Sequence, residues 1–121
     1  MKKTKIIFTK NQLTVIERTN VIIFRYSDIV CILCERPYVM IVTYSRKRKL
    51  IFHSLKDIVQ SLPSSFVICS RSAIVNLVHV LQSKTEKSNC FVYLHNELKI
   101  PVSRRKKSEI IEKIKDFSTF Q

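Results

Sequence analysis

Phe66-Val67-Ile68-Cys69-Ser70-Arg71-Ser72-Ala73-Ile74-Val75-Asn76 is the stretch on which the reading of this chain turns. Its first residues are apolar and β-favouring, and the polar Ser-Arg-Ser cluster follows them directly, as at the end of a strand. A second stretch, Ile100-Pro101-Val102-Ser103-Arg104-Arg105-Lys106-Lys107, repeats the arrangement with four successive cations. Both place basic side chains at the edge of a rigid β framework, where a polyanion can reach them.

Working outward, apolar runs rich in Ile, Val, Phe and Tyr recur between short polar interruptions. They predict strands near 4–9, 12–17, 20–25, 28–34, 38–44, 48–53, 66–69, 78–84, 89–95 and 97–101. So many short strands leave no room for helical crossovers, so antiparallel hairpins and meanders are expected. Two segments are helical instead. Ser54 can cap a short helix whose Leu55, Ile58, Val59 and Leu62 share a face, with Asp57 at its third position and Pro63 ending it. A second helix is expected from about Arg104 to Phe117, with Ser103 as N-cap and Ile110, Ile111, Ile114 and Phe117 as its stripe.

The 121 residues suit one domain spanning 1–121, and 45% hydrophobic with 26% charged residues is a globular composition. No run is long enough to cross a bilayer. The basic amino terminus lacks the apolar stretch of a signal peptide, so a cytoplasmic protein without a membrane partner is expected. The chain has no glycine, which excludes P-loop, dinucleotide and Gly-x-Ser-x-Gly motifs. Asn11, Asn20, Asn89 and Asn96 are then the natural residues for left-handed turns.

Cys31 and Cys34 have half a zinc-site spacing, but residues three apart on a strand point to opposite faces. With Cys69 and Cys90 they are expected to be buried thiols, with no metal and no cofactor. Nine carboxylates and three scattered histidines show no catalytic constellation, so no enzyme is expected.

A net charge of +13 implies a polyanionic partner, and the cations cluster at 2–5, at Arg46-Lys47-Arg48-Lys49 and at 104–107. Cations in a helix's first turn oppose the macrodipole, a conflict that a docked anion relieves. Arg71 can clamp a phosphate or read a guanine, and an arginine bonding its own loop carbonyls fits the bare residues equally well. Asn76 is expected to close a loop through its side-chain amide. Arg46–Lys49 reads as a solvated hairpin tip. Arg36-Pro37-Tyr38 reads as a turn in which Tyr38 either packs on the sheet or holds Arg36 towards a groove.

These segments resemble the LytTR DNA-binding domain. Residues 66–76 look like its Phe-x-Arg-x-His-Arg-Ser-x-x-Val-Asn pattern, and 100–105 look like its Pro-Val-Ser-Arg-Arg signature. Asp28-Ile29 followed by an aliphatic strand and Tyr38 resembles its opening. Ser54-Leu55-Lys56-Asp57-Ile58 is similar to its short helix. The likeness covers roughly residues 20–115, and it differs at Ser70 (usually His), Ile68 (often Arg) and Ala73 (commonly aromatic).

The resemblance implies a mostly β, elongated arrangement of small antiparallel sheets with one short helix and a C-terminal helix. It implies a bacterial transcription regulator that inserts loops into the major grooves of double-stranded DNA, two copies binding paired direct repeats as a dimer on DNA. By position, Arg71, Arg105, Tyr38 and Arg36 become base-contact candidates. Ser70, Arg104, Lys106 and Lys107 become phosphate-contact candidates. Relatives usually carry a receiver or membrane segment ahead of this domain, and none is expected here. Two other classes stay open: an RNA-binding module stacking bases on Phe91 and Tyr93, and a basic protein-interaction domain.

Overall fold

The computed structural model describes residues 3–119, so Lys2 of the amino-terminal basic cluster lies outside the described residues. Eleven strands form three antiparallel sheets. β1 (Lys5–Phe8), β2 (Gln12–Glu17) and β3 (Asn20–Arg25) make the first, in chain order. The central sheet has β4 (Ile29–Glu35), β5 (Tyr38–Thr43), β6 (Arg48–Ile51), β7 (Phe66–Ser70) and β8 (Ala73–Asn76), in the order β6-β5-β4-β8-β7. β9 (Val80–Glu86), β10 (Asn89–Leu94) and β11 (Leu98–Val102) make the third.

The central sheet is covered on both faces. Leu13, Val15 and Phe24 of the first sheet pack on one side, with Ile58 of the short helix α1 (Leu55–Val59). On the other, Cys90, Val92, Leu94, Ile100 and Val102 pack with Ile110 of the terminal helix α2 (Lys107–Thr119). Double coverage explains the one strand that the sequence pattern did not predict. β8 is four consecutive buried residues, so it carries no period-two alternation. It lies between β4 and β7, pairing Ile74 with both Ile32 and Ile68.

The other ten strands fall where they were expected, with ends shifted by one or two residues. Ser54 caps α1 by accepting from the Asp57 amide at 3.2 Å, and Leu55, Val59 and Leu62 pack on the core as expected. Cys31 belongs to the core between central and third sheets, whereas Cys34 faces the other way into an open groove. Cys31, Cys69 and Cys90 are buried and reduced. Burial pushes the Cys31 and Cys69 thiols up to about 12.

The left-handed turns require a correction. Asn96 has φ of 67°, but Asn11, Asn20 and Asn89 do not occupy that region; Arg18, Arg46, Lys87, Ser88 and Glu97 do. Glu17 pairs with Asn20 and Glu86 with Asn89, so both asparagines are first residues of strands and the turns lie before them. Lys87 and Ser88 are left as a two-residue tip with positive φ at both positions, at a cost of about 1 kcal/mol each.

Candidate nucleic-acid interface

Strand direction sorts the turns between two ends of the central sheet. At one end, Glu35 pairs with Tyr38, so Arg36-Pro37 (a cis peptide) forms the tip of the β4–β5 hairpin. At the same end Ser70 pairs with Ala73, so Arg71-Ser72 forms the tip of the β7–β8 hairpin. The two tips are bonded side by side, the Cys34 amide donating to the Ser72 carbonyl at 2.8 Å. The Ser72 amide donates to Ser70 Oγ at 3.1 Å, which shapes the second tip.

A third segment arrives from the other layer. β11 ends at Val102, and the Ser103 amide donates to the Cys69 carbonyl at 2.9 Å, fixing the start of the basic run beside β7. Arg104–Lys106 then form a 3-10 turn, and α2 opens only at Lys107. The expected helix start is therefore corrected. Ser103 precedes the turn but makes no side-chain cap; its carbonyl accepts from the Lys106 amide at 3.0 Å instead. The cations largely precede the helix, and Glu109 occupies its acidic first-turn position. Lys113 foremost, with Lys106, holds the Glu109 carboxyl below the usual range.

Together these segments and the start of α1 enclose a groove of about 1050 Å³. Arg36, Lys56, Arg71, Arg104, Arg105 and Lys106 line it, with Tyr38, Ser70, Cys34 and Ser103, and no carboxylate does. Lys107 is not among the lining residues. Arg36, Arg71, Arg104 and Arg105 are exposed. Among the described residues none of the four enters an ion pair, and Arg71 makes no hydrogen bond to a loop carbonyl. Lys106 lies 3.8 Å from Glu109, whereas the four unpaired arginines repel one another, a cost that an anion removes. Tyr38 packs edge-on against Phe52 at 6.0 Å, so it rests on the sheet while lining the groove.

Sequence reasoning missed Lys56 and His53 as groove residues; nothing in the linear pattern sets α1 beside the hairpin tips. The Arg46–Lys49 cluster lies at the opposite end of the sheet. Arg46 and Lys47 belong to the β5–β6 turn, while Arg48 and Lys49 already pair within β6, and Lys49 bonds Glu17 at 2.7 Å.

Among the described residues no helix is long and apolar enough to cross a membrane. Residues 19–115 match the family model of the LytTr DNA-binding domain. A solved structure of similar fold is the LytTr DNA-binding domain of a methyl-accepting/DNA response regulator from Bacillus cereus. It has a TM-score of 0.74 and 22% identity, covering 86% of this chain and 96% of that one. No curated protein matches the chain. The family match spans most of the sequence, and the sheets and terminal helix agree with it: this chain belongs to the LytTR family of DNA-binding domains.

Proposed function

We propose that the chain is a sequence-specific, double-stranded DNA-binding transcriptional regulator that inserts its hairpin tips into major grooves. The observation that carries this reading is the groove itself: two hairpin tips, the turn after β11 and the start of α1 deliver six cations and no carboxylate to one concave surface. Arg71 and Arg105 suit base edges, because a guanidinium can bond guanine through two parallel donors. Arg36 with Tyr38 supplies the third contacting tip. Ser70, Arg104, Lys106 and Lys107 would hold phosphates and set the register. Two copies on paired direct repeats, acting in the cytoplasm and without catalysis, complete the reading.

The RNA-stacking alternative is disfavoured by the third sheet. Phe91 and Tyr93 do share its outer face, but Lys99 Nζ sits 4.2 Å from the Phe91 ring centroid and 5.7 Å from that of Tyr93. Glu86 holds Lys99 there at 2.8 Å and accepts from the Tyr93 hydroxyl at 2.9 Å. A base would have to displace a bonded cation to stack.

Selection of bound duplexes from a random pool, followed by titration over a range of salt, tests the proposal. A defined motif should emerge, and log K should fall with log salt by about 0.9 per phosphate neutralised. Recovery of no motif, with equal affinity for every duplex, would overturn specificity. Preference for single-stranded RNA would favour the alternative.

A further inference from the structure

Far from the groove, four turns meet at the other end of the central sheet, and two histidines bond there ring to ring. His79, in the turn between β8 and β9, is buried, and its Nε2 lies 2.7 Å from the Ser27 carbonyl. Its Nδ1 lies 2.9 Å from Nδ1 of His95, in the turn between β10 and β11. Tyr44 of the β5–β6 turn stacks on His79 at 5.6 Å and meets His95 edge-on at 5.2 Å. Asn96 donates to the Thr43 carbonyl at 3.0 Å, closing the joint between the third and central sheets.

The proton inventory follows from the partners. A carbonyl only accepts, so His79 Nε2 must carry hydrogen. In neutral His79 the other nitrogen is then an acceptor, and His95 must donate from Nδ1. One added proton is tolerated, because either ring can be the doubly protonated donor while the other accepts. A second added proton turns both facing nitrogens into donors 2.9 Å apart, and the bond cannot survive.

We propose that the His79–His95 pair is an acid-released clamp, holding the β9–β11 sheet to the central sheet with at most one added proton. The other charged groups of these turns do not provide a substitute. Asp28 is occupied by the Ser45 amide at 3.2 Å and hydroxyl at 2.9 Å, Glu97 is exposed next to His95, and Arg46 and Lys47 are exposed cations of the Tyr44 turn. Released rings are free to take two protons. The closed joint binds one fewer, so its stability is lost as pH falls. Once both released rings are charged, the ratio of released to closed joint should rise about tenfold per pH unit. β11 runs from this joint to Ser103, so release loosens the strand that ends at the groove.

The test uses the whole chain without DNA. Imidazole nitrogen spectra at pH 8 should show His79 as the Nε2–H form and His95 as the less common Nδ1–H form. On acidification, entry of the second proton should coincide with shifts and lower hydrogen-exchange protection factors at the Ser27, Tyr44 and Asn96 amides. His95→Asn supplies an amide that can rotate to donate or accept, so it should flatten that acid response. Both rings protonating while those amides keep their shifts and protection would overturn the clamp, as would an unchanged acid response in His95→Asn. Should that variant not fold, the wild-type spectra decide alone.

Discussion

Asn76 donates its side-chain amide to the Ile29 carbonyl at 2.9 Å, joining residues 47 positions apart in the chain. The same nitrogen donates to the Tyr26 carbonyl at 3.0 Å, and Oδ1 accepts from the Val78 amide at 3.2 Å. One buried side chain thus ties the end of β8 to the turn entering β4. Asn76→Ala should destabilise the domain by about 3 kcal/mol, because it strands the buried groups that Asn76 bonds. Asn76→Asp should be no better at neutral pH, since an acceptor-only carboxylate then faces two carbonyls, and it should recover partly in acid. Urea unfolding at pH 7 and pH 4 checks both.

The proposed base readers and phosphate contacts should separate experimentally. Arg71→Ala and Arg105→Ala should each lose about 1–3 kcal/mol on the selected duplex and much less on unrelated ones. Arg104→Ala and Lys106→Ala should weaken every duplex alike and lower the salt slope by about 0.9 each. Equal loss on all sequences for Arg71 and Arg105 would reduce them to phosphate contacts.

Acid stability should report the third sheet's outer face. Lys99 first, then the Tyr93 hydroxyl, holds the Glu86 carboxyl below the usual range, and Lys99 is raised in turn. A lowered carboxylate contributes stability that is present above the unfolded value of about 4.3 and is lost as pH falls through the folded one. Glu86→Gln should therefore show a flatter decline than wild type below that pH. Denaturant midpoints measured from pH 6 to pH 3 supply the comparison, and parallel declines would count against it.

Thiol reactivity should distinguish the groove from the core. Cys31 and Cys69 sit in the core with thiols at about 12, and Cys90 is buried beside them. Iodoacetamide at pH 8 should label Cys34 well before the other three, read by mass spectrometry. If the groove is the DNA surface, the selected duplex should slow labelling of Cys34. Unchanged labelling at saturating duplex would place the contact elsewhere.

Much of this architecture was legible residue by residue. Alternation in segments such as Gln12–Glu17 and Asn89–Leu94 marks half-buried strands, and Ser54 with Asp57 marks the cap of α1. The Ser-Arg-Ser and Ser-Arg-Arg clusters were visible as basic runs following strands. Ala73–Asn76 was not legible as a strand, because burial on both faces erases the alternation that strand reading depends on. The left-handed turns at Lys87 and Ser88 were not legible either. Their backbone is imposed by the pairing of Glu86 with Asn89, which overrides the preference for asparagine.

The sequence by itself determined the class of element along the chain, the two helices, and a charge excess gathered into short runs. These are local properties, set by side-chain periodicity, propensity and composition. Only the tertiary structure decided which runs share a surface. Insertion of β8 between β4 and β7 sets the Arg36 and Arg71 tips side by side, and the Ser103 bond to Cys69 brings Arg104 and Arg105 to them. The same sheet sends Arg46 and Lys47 to its far end, beside the histidine pair. The order of strands is decided by how distant segments bury both faces of one sheet, and no window of neighbouring residues carries that information.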